Sequence, residues 1–137
     1  MDLVAREVVE ANFSRQPAMA LIGASLAVLD AGSVEVSFPF RADLTQQDGF
    51  IHAGIIATAA DSACGYAALS SMPEGSDVLS VEFKLNLLRP AAGERFVARA
   101  QVLKPGKTLT AVRADVFALA DGHERLVAAM QATMIRR

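Results

Sequence analysis

The chain has 137 residues, of which 53% are hydrophobic, and its formal net charge is −2 at pH 7. This length suits a single domain over residues 1–137 with one core, and the lack of a basic excess argues against nucleic acid as a partner. The one cysteine, Cys64, excludes an internal disulfide and fits a reducing compartment.

The N-terminal third predicts a helix followed by two strands. Residues 2–14 place Leu3, Val4 and Val8 on one side, which is typical of a short amphipathic helix that Pro17 would close. Residues 19–29 are then predicted as an apolar strand, and residues 33–40 alternate cleanly as a second strand. Acidic residues precede the first apolar segment and no apolar run reaches about 18 residues, so we expect a cytoplasmic protein without membrane contact.

The rest of the chain predicts one long helix and four more strands. Residues 53–70 form a run of mostly small apolar residues that one carboxylate interrupts, and we interpret this run as a central helix. Short turns join the strands, which favours an antiparallel sheet. The expected fold class is therefore α+β, with an antiparallel sheet of about five to six strands wrapped around one long helix. The later strands are predicted at residues 79–88, 96–103, 108–119 and 126–135.

The central helix contains a lone carboxylate, Asp61. Helical spacing places it on one narrow face with Thr58, Ser62 and Gly65. An unpaired ionised carboxylate in apolar surroundings would cost several kcal/mol. Asp61 is therefore expected either to be paired or to line a cleft that admits a substrate.

The entrance of the same helix offers groups that stabilise negative charge. His52 immediately precedes the helix, and the amides of Ala53 and Gly54 lie in its first turn, where N–H groups lack helical partners. Gln46 brings a carboxamide from the preceding loop. An acid, an amide and a helix start that can bind an oxyanion together favour hydrolysis of an acyl compound.

Three segments resemble hot-dog-fold thioesterases of the PaaI type. These are "GFIHAGIIATAADSACGYAA", "LSVEFKLNLLRPAAGE" and "AQVLKPGKTLTAVRADVF", and together they cover about residue 46 to the C-terminus. The resemblance implies a hot-dog fold and hydrolysis of acyl-CoA thioesters. It also implies no metal and no separate cofactor, because coenzyme A is part of the substrate. The chain departs from the usual His-Gly-Gly in one place, since it has His-Ala-Gly.

The resemblance also implies roles for individual residues. Asp61 matches the general base or nucleophile, and Gln46 falls where the family has an Asn or Gln near the thioester. The Ala53 amide would polarise the carbonyl, His52 would hold the loop, and Ser80 would help to orient water. The residues expected to contact the substrate are Gly54, Glu82, Leu88, Arg89, Pro90, Ala91, Lys104, Pro105, Gly106, Lys107, Thr108 and Leu109.

The expected assembly is a homo-oligomer with active sites between subunits. In the family two subunits pair into a continuous sheet, and dimers commonly pair into homotetramers. The alternative function is a non-catalytic acyl-CoA-binding protein, a sensor or carrier, in which Asp61 would be vestigial. A dehydratase or hydratase is a lesser alternative, because such enzymes pair a histidine and an acid differently.

Overall fold

The structure, a computed structural model that describes residues 2–137, contains three α-helices and six strands in this range. The elements are α1 Arg6–Ser14, α2 Pro17–Ile22, β1 Ser25–Asp30, β2 Ser33–Pro39, a 3₁₀ turn Ala42–Leu44, α3 Ala53–Ser70, β3 Val78–Leu87, β4 Arg95–Lys104, β5 Leu109–Ala120 and β6 His123–Arg136.

All six strands form one antiparallel sheet in the order β1-β2-β4-β5-β6-β3. Helix α3 packs across the concave face and contacts β2, β4, β5, β6 and β3. This is the hot-dog arrangement, and the predicted fold class is confirmed.

Helix α3 spans the predicted range because its sequence combines a cap with small side chains. His52 is the N-cap, and its Nδ1 accepts a hydrogen bond of 2.8 Å from the Gly54 amide. The sheet can approach the helix closely because many of the inward residues are small. The fully buried small residues of α3 are Ala59, Ala60, Ala63, Cys64, Ala67 and Ala68.

The prediction of one strand over residues 19–29 is wrong. Pro17 begins a helix instead of closing one, because proline is well suited to the first helical position. That helix, α2, ends at Gly23, whose φ of 71° favours glycine and turns the chain into β1. The N-terminal segment therefore holds two short helices where one was expected, and α1 begins at Arg6.

Strand β3 departs from the predicted alternation at one bulge. Ser80 pairs with Met134 and Glu82 pairs with Thr133, so Val81 is an extra residue on β3. Strict alternation along residues 79–88 would place Ser80 and Glu82 on the same face. The bulge instead turns Ser80 towards the face that carries α3, while Glu82 stays on the opposite face with Thr133.

Strand β3 is also an edge strand with an unusual apolar exposure. Leu79, Val81, Phe83 and Leu87 are 51%, 55%, 46% and 55% exposed. Isolated edge strands with apolar side chains are prone to pair with another chain. Among the helices that the structure describes, none is both long and apolar enough to cross a membrane.

Candidate active site

The Asp61 carboxylate is both paired and accessible. Its Oδ1 accepts a hydrogen bond of 2.6 Å from the Ser80 hydroxyl, across the gap between α3 and β3. Within residues 2–137, no hydrogen bond reaches Oδ2. Asp61 and Ser80 both line a cavity of about 180 Å³. Ser80 thus holds one oxygen of the carboxylate, and the other oxygen has no hydrogen-bond partner in this range, beside a cavity that a water or a substrate can enter.

The wall of this cavity includes residues that the sequence did not single out. Gln16 Nε2 donates to Tyr66 Oη at 2.8 Å, and Ser62 Oγ donates to Gln16 Oε1 at 3.0 Å. Tyr66 Oη in turn donates to Asn12 Oδ1 at 3.0 Å. All four residues line the cavity that holds Asp61. We call Ser62, Gln16, Tyr66 and Asn12 the polar chain.

Cys64 lies three residues beyond Asp61 but is not a second nucleophile. It is fully buried. Burial, and to a smaller extent the neighbouring Asp61 carboxylate, raise the pKa of the Cys64 thiol to about 12. A thiol with this pKa stays protonated near neutral pH and is a poor nucleophile, which agrees with its interpretation as a core residue.

A second cavity, of about 490 Å³, lies at the start of α3. Gln46 and Ala53 line it from one side, and the segment 88–91 that follows β3 lines it from the other. The Ile51 amide donates to the Ala91 carbonyl at 3.1 Å, which holds this segment against the helix entrance. Six of the predicted site residues therefore meet here: Gln46, Ala53, Leu88, Arg89, Pro90 and Ala91.

The hydrogen-bonding groups at the helix entrance differ in whether they already have a partner within the chain. The Gly54 amide is taken up by His52 Nδ1, so it is not free to bind a substrate as predicted for Gly54. A side chain at position 54 would crowd this imidazole, since a Cβ there would lie 3.1 Å from Nδ1. Gln46 Oε1 accepts from the Asp48 and Phe50 amides, so its carboxamide shapes the loop. Ala53, at the first helical position, has no helical partner for its N–H.

The two cavities are separate within one chain. Asp61 follows Ala53 by eight residues of continuous helix, which corresponds to about 12 Å along the axis at 1.5 Å per residue. A single carbonyl group therefore cannot touch the acid and the Ala53 amide of the same chain. We call the Asp61 and Ser80 side the acid half-site and the Ala53 and Gln46 side the amide half-site.

The remaining predicted residues lie at the acid end or on the outer face. The turn 104–109 joins β4 and β5 beside the start of β3, because Leu109 pairs with Ile135 and Ile135 pairs with Leu79. A Cβ at Gly106 would lie 1.9 Å from the Leu109 carbonyl oxygen, so this turn requires glycine. Glu82 accepts a hydrogen bond from Thr133 and lines a different cavity.

The structure offers no obvious site for a metal ion. In the part of the chain that the structure describes, no group of three or more His, Cys, Asp or Glu side chains could hold one.

The positions of the predicted site residues are thus described, whereas the chemical roles predicted for them stay predictions.

Comparisons with known proteins agree with this architecture. The profile of the family described as "Thioesterase superfamily" matches residues 48–123, more than half of the chain. A "Putative esterase" of Saccharolobus solfataricus is 34% identical over 94 residues, which cover 69% of this chain and 66% of that protein. The crystal structure of a thioesterase family protein from Silicibacter pomeroyi is 54% identical, covers 93% of this chain and 94% of that one, and has a TM-score of 0.91. The PaaI protein of E. coli shares the fold, with a TM-score of 0.82, 23% identity and 93% and 88% coverage. The chain therefore belongs to the thioesterase superfamily.

Proposed function

We propose that the protein is an acyl-CoA thioesterase, which hydrolyses an acyl- or aryl-CoA to the free acid and coenzyme A. Membership of the thioesterase superfamily supports a hydrolase of thioesters. The observation that carries the proposal is the Ser80–Asp61 hydrogen bond beside a cavity, because it presents a fixed carboxylate to a reacting group.

In this proposal the acid half-site supplies the attacking group. Asp61 takes a proton from a water that attacks the thioester carbonyl, or attacks the carbonyl directly and forms an anhydride that water then hydrolyses. Ser80 holds one carboxylate oxygen and leaves the other free to accept a proton. Collapse of the tetrahedral intermediate breaks the C–S bond, and the thiolate of coenzyme A leaves and takes up a proton.

The amide half-site supplies the stabilisation of the oxyanion. The Ala53 N–H at the start of α3 points its dipole towards negative charge that develops on the carbonyl oxygen. The cavity beside it has apolar walls, in which such a hydrogen bond is stronger than in water.

The separation of the half-sites supports a complete active site that is built from two subunits. If the β3 edges of two chains pair about a twofold axis, the strands run antiparallel and the start of one β3 meets the end of the other. The acid half-site lies near the start of β3, and the amide half-site lies near its end. This pairing would also cover the exposed Leu79, Val81 and Leu87. Whether such dimers pair further into tetramers is a separate prediction.

The same pairing would gather the segments predicted to contact coenzyme A. Lys104 and Lys107 lie at the acid end of one chain, and Arg89 lies at the amide end of the other. Lysine ammonium groups at a turn can meet a phosphate as point charges, whereas arginine can bind it through two donors.

The test is a hydrolysis screen with Asp61→Asn as the matched variant. Acyl- and aryl-CoA esters of increasing size are supplied, and released thiol is measured. We expect turnover by the parent chain and a fall in kcat of about 10²-fold or more in Asp61→Asn. A non-hydrolysable CoA thioether should still bind to the variant. Binding of CoA esters without any hydrolysis by the parent chain would instead favour a sensor or carrier.

A further inference from the structure

Gly65 is a glycine that the fold itself does not require. It lies inside α3, one turn beyond Asp61, and its φ is not in the left-handed region. A Cβ at this position would meet no atom within 4 Å outside the local helix. Glycine is unfavourable within a helix relative to alanine, so neither backbone geometry nor packing within the chain accounts for it.

The space over Gly65 belongs to the cavity of the acid half-site. Gly65, Asp61 and Ser80 all line it. A group bound next to the Asp61 carboxylate can therefore extend over Gly65 towards the polar chain. Asn12 of α1 and Tyr66 line the same cavity, whose volume of about 180 Å³ leaves room only for a compact group.

The polar chain leaves donors for a ligand. Its hydrogen bonds use one N–H of Gln16 and the carboxamide oxygens of Asn12 and Gln16. Within residues 2–137 the amino group of Asn12 donates no hydrogen bond, and no side-chain nitrogen or oxygen that is fully buried lacks a partner. The Asn12 amino group is therefore accessible, and it suits an acceptor oxygen on the ligand.

The charged side chains that line the cavity favour a neutral oxygen. They are Asp61 and Asp77, and a ligand carboxylate there would meet two like charges. Two cations are near but outside the lining: Arg137 pairs with Asp77 at 3.3 Å on the surface, and the positive charge of Arg15 acts on Tyr66.

We propose that this cavity holds the acyl group of the substrate, with Gly65 providing its room and the polar chain selecting compact acyl groups that carry a neutral oxygen at the end remote from the thioester. The proposal rests on the proposed thioesterase function. It assigns Gly65, Tyr66, Gln16 and Asn12 as determinants of specificity, not as catalytic residues.

The first test compares two acyl-CoA esters of nearly equal shape, 4-hydroxybutanoyl-CoA and pentanoyl-CoA, which differ in a terminal hydroxyl or methyl group. We expect kcat/KM to be about tenfold higher for the hydroxyl ester, since one neutral hydrogen bond gives a factor of this size. In Tyr66→Phe and Gln16→Met the ratio of kcat/KM for the hydroxyl ester to kcat/KM for the methyl ester should fall towards one. Glutaryl-CoA, with a terminal carboxylate, should be the poorest of the three.

The second test uses Gly65→Ala and Gly65→Leu. A side chain at position 65 enters open space and improves helix propensity, so the Tm of Gly65→Ala should rise by a few degrees. At the same time kcat/KM for both esters should fall, about tenfold or more in Gly65→Leu. Val8→Leu on the exposed side of α1 is the matched control, and its Tm and its kcat/KM should both equal those of the parent chain.

The outcomes separate this proposal from the function on which it rests. If no CoA ester is hydrolysed, the proposed function fails. If esters are hydrolysed with a hydroxyl-to-methyl ratio near one, or with the ratio unchanged in Tyr66→Phe, only the specificity proposal fails. A loss of self-association in Gly65→Ala, measured by sedimentation, would also overturn it, because the space over Gly65 would then receive a partner subunit.

Discussion

Replacement of Ala53 by proline removes a single hydrogen-bond donor from the amide half-site. Ala53 is the first residue of α3, where proline is favoured because its missing N–H has no helical partner. His52 has φ −59° and ψ 140°, an extended conformation that a following proline permits. The helix and the His52–Gly54 cap should therefore persist in Ala53→Pro.

The expected loss follows from the role of that donor. Removal of one oxyanion donor typically costs about 10²–10³-fold in kcat, or about 2.7–4 kcal/mol of transition-state stabilisation. We expect this fall in kcat for Ala53→Pro, with a smaller change in KM, measured as released thiol from an acyl-CoA ester.

Ala53→Val is the matched control, since it adds similar bulk but keeps the N–H. It should retain kcat within about tenfold of the parent chain. Ala53→Gly, which restores the usual His-Gly-Gly, should also stay active. If Ala53→Pro folds with a parental Tm and turns over as fast as Ala53→Val, the oxyanion role of this amide is refuted.

Four further predictions concern other parts of the chain. Ser80→Ala should lower kcat by about tenfold with an unchanged Tm, because it releases one Asp61 oxygen; an unchanged kcat would contradict the positioning role. Dialysis against EDTA should leave kcat unchanged, and a loss restored by a divalent cation would refute a metal-independent mechanism. The pKa of Cys64 is raised to about 12 from a usual value of 9.0, so the folded state keeps its proton and its contribution to stability should be lost as pH rises from 9 towards 12. Burial also raises the pKa of Tyr66, so urea unfolding should show an alkaline loss of stability in both chains, larger in the parent than in Cys64→Ala; equal losses would contradict the prediction. The double variant of Lys104 and Lys107 to alanine should raise KM for CoA esters with little change in kcat, and an unchanged KM would show that these lysines are only solvated.

The sequence predicted the central helix and most strands because their local signals agree with their final environment. Helix α3 has the predicted bounds, since His52 caps it and its small residues suit close packing against a sheet. The alternation in strands β2 and β5 likewise matches a sheet with one buried face. In contrast, the apolar run of residues 19–29 is compatible with a strand or a buried helix, and periodicity alone does not distinguish them.

The candidate site was harder to predict from the sequence than the helix and the strands, because it depends on contacts between distant segments. The bulge at Val81 that turns Ser80 towards Asp61 has no local signature such as a glycine. The polar chain joins Asn12 and Gln16 to Ser62 and Tyr66, from which they are separated by 46 to 54 positions in the sequence. The separation of Ala53 and Asp61, in contrast, was implicit in the sequence through the rise of a helix.

The most direct test of the account is complementation between two inactive variants. Asp61→Asn lacks the acid half-site and Ala53→Pro lacks the amide half-site, so each homodimer has two defective sites. When the two variants are refolded together, about half of the dimers are mixed, and each mixed dimer has one site built from two intact halves. The account predicts recovery of about one quarter of the parental kcat per chain. Activity of the mixture no higher than the mean of the two variants, with mixed dimers demonstrated by mass spectrometry, would contradict an active site shared between subunits.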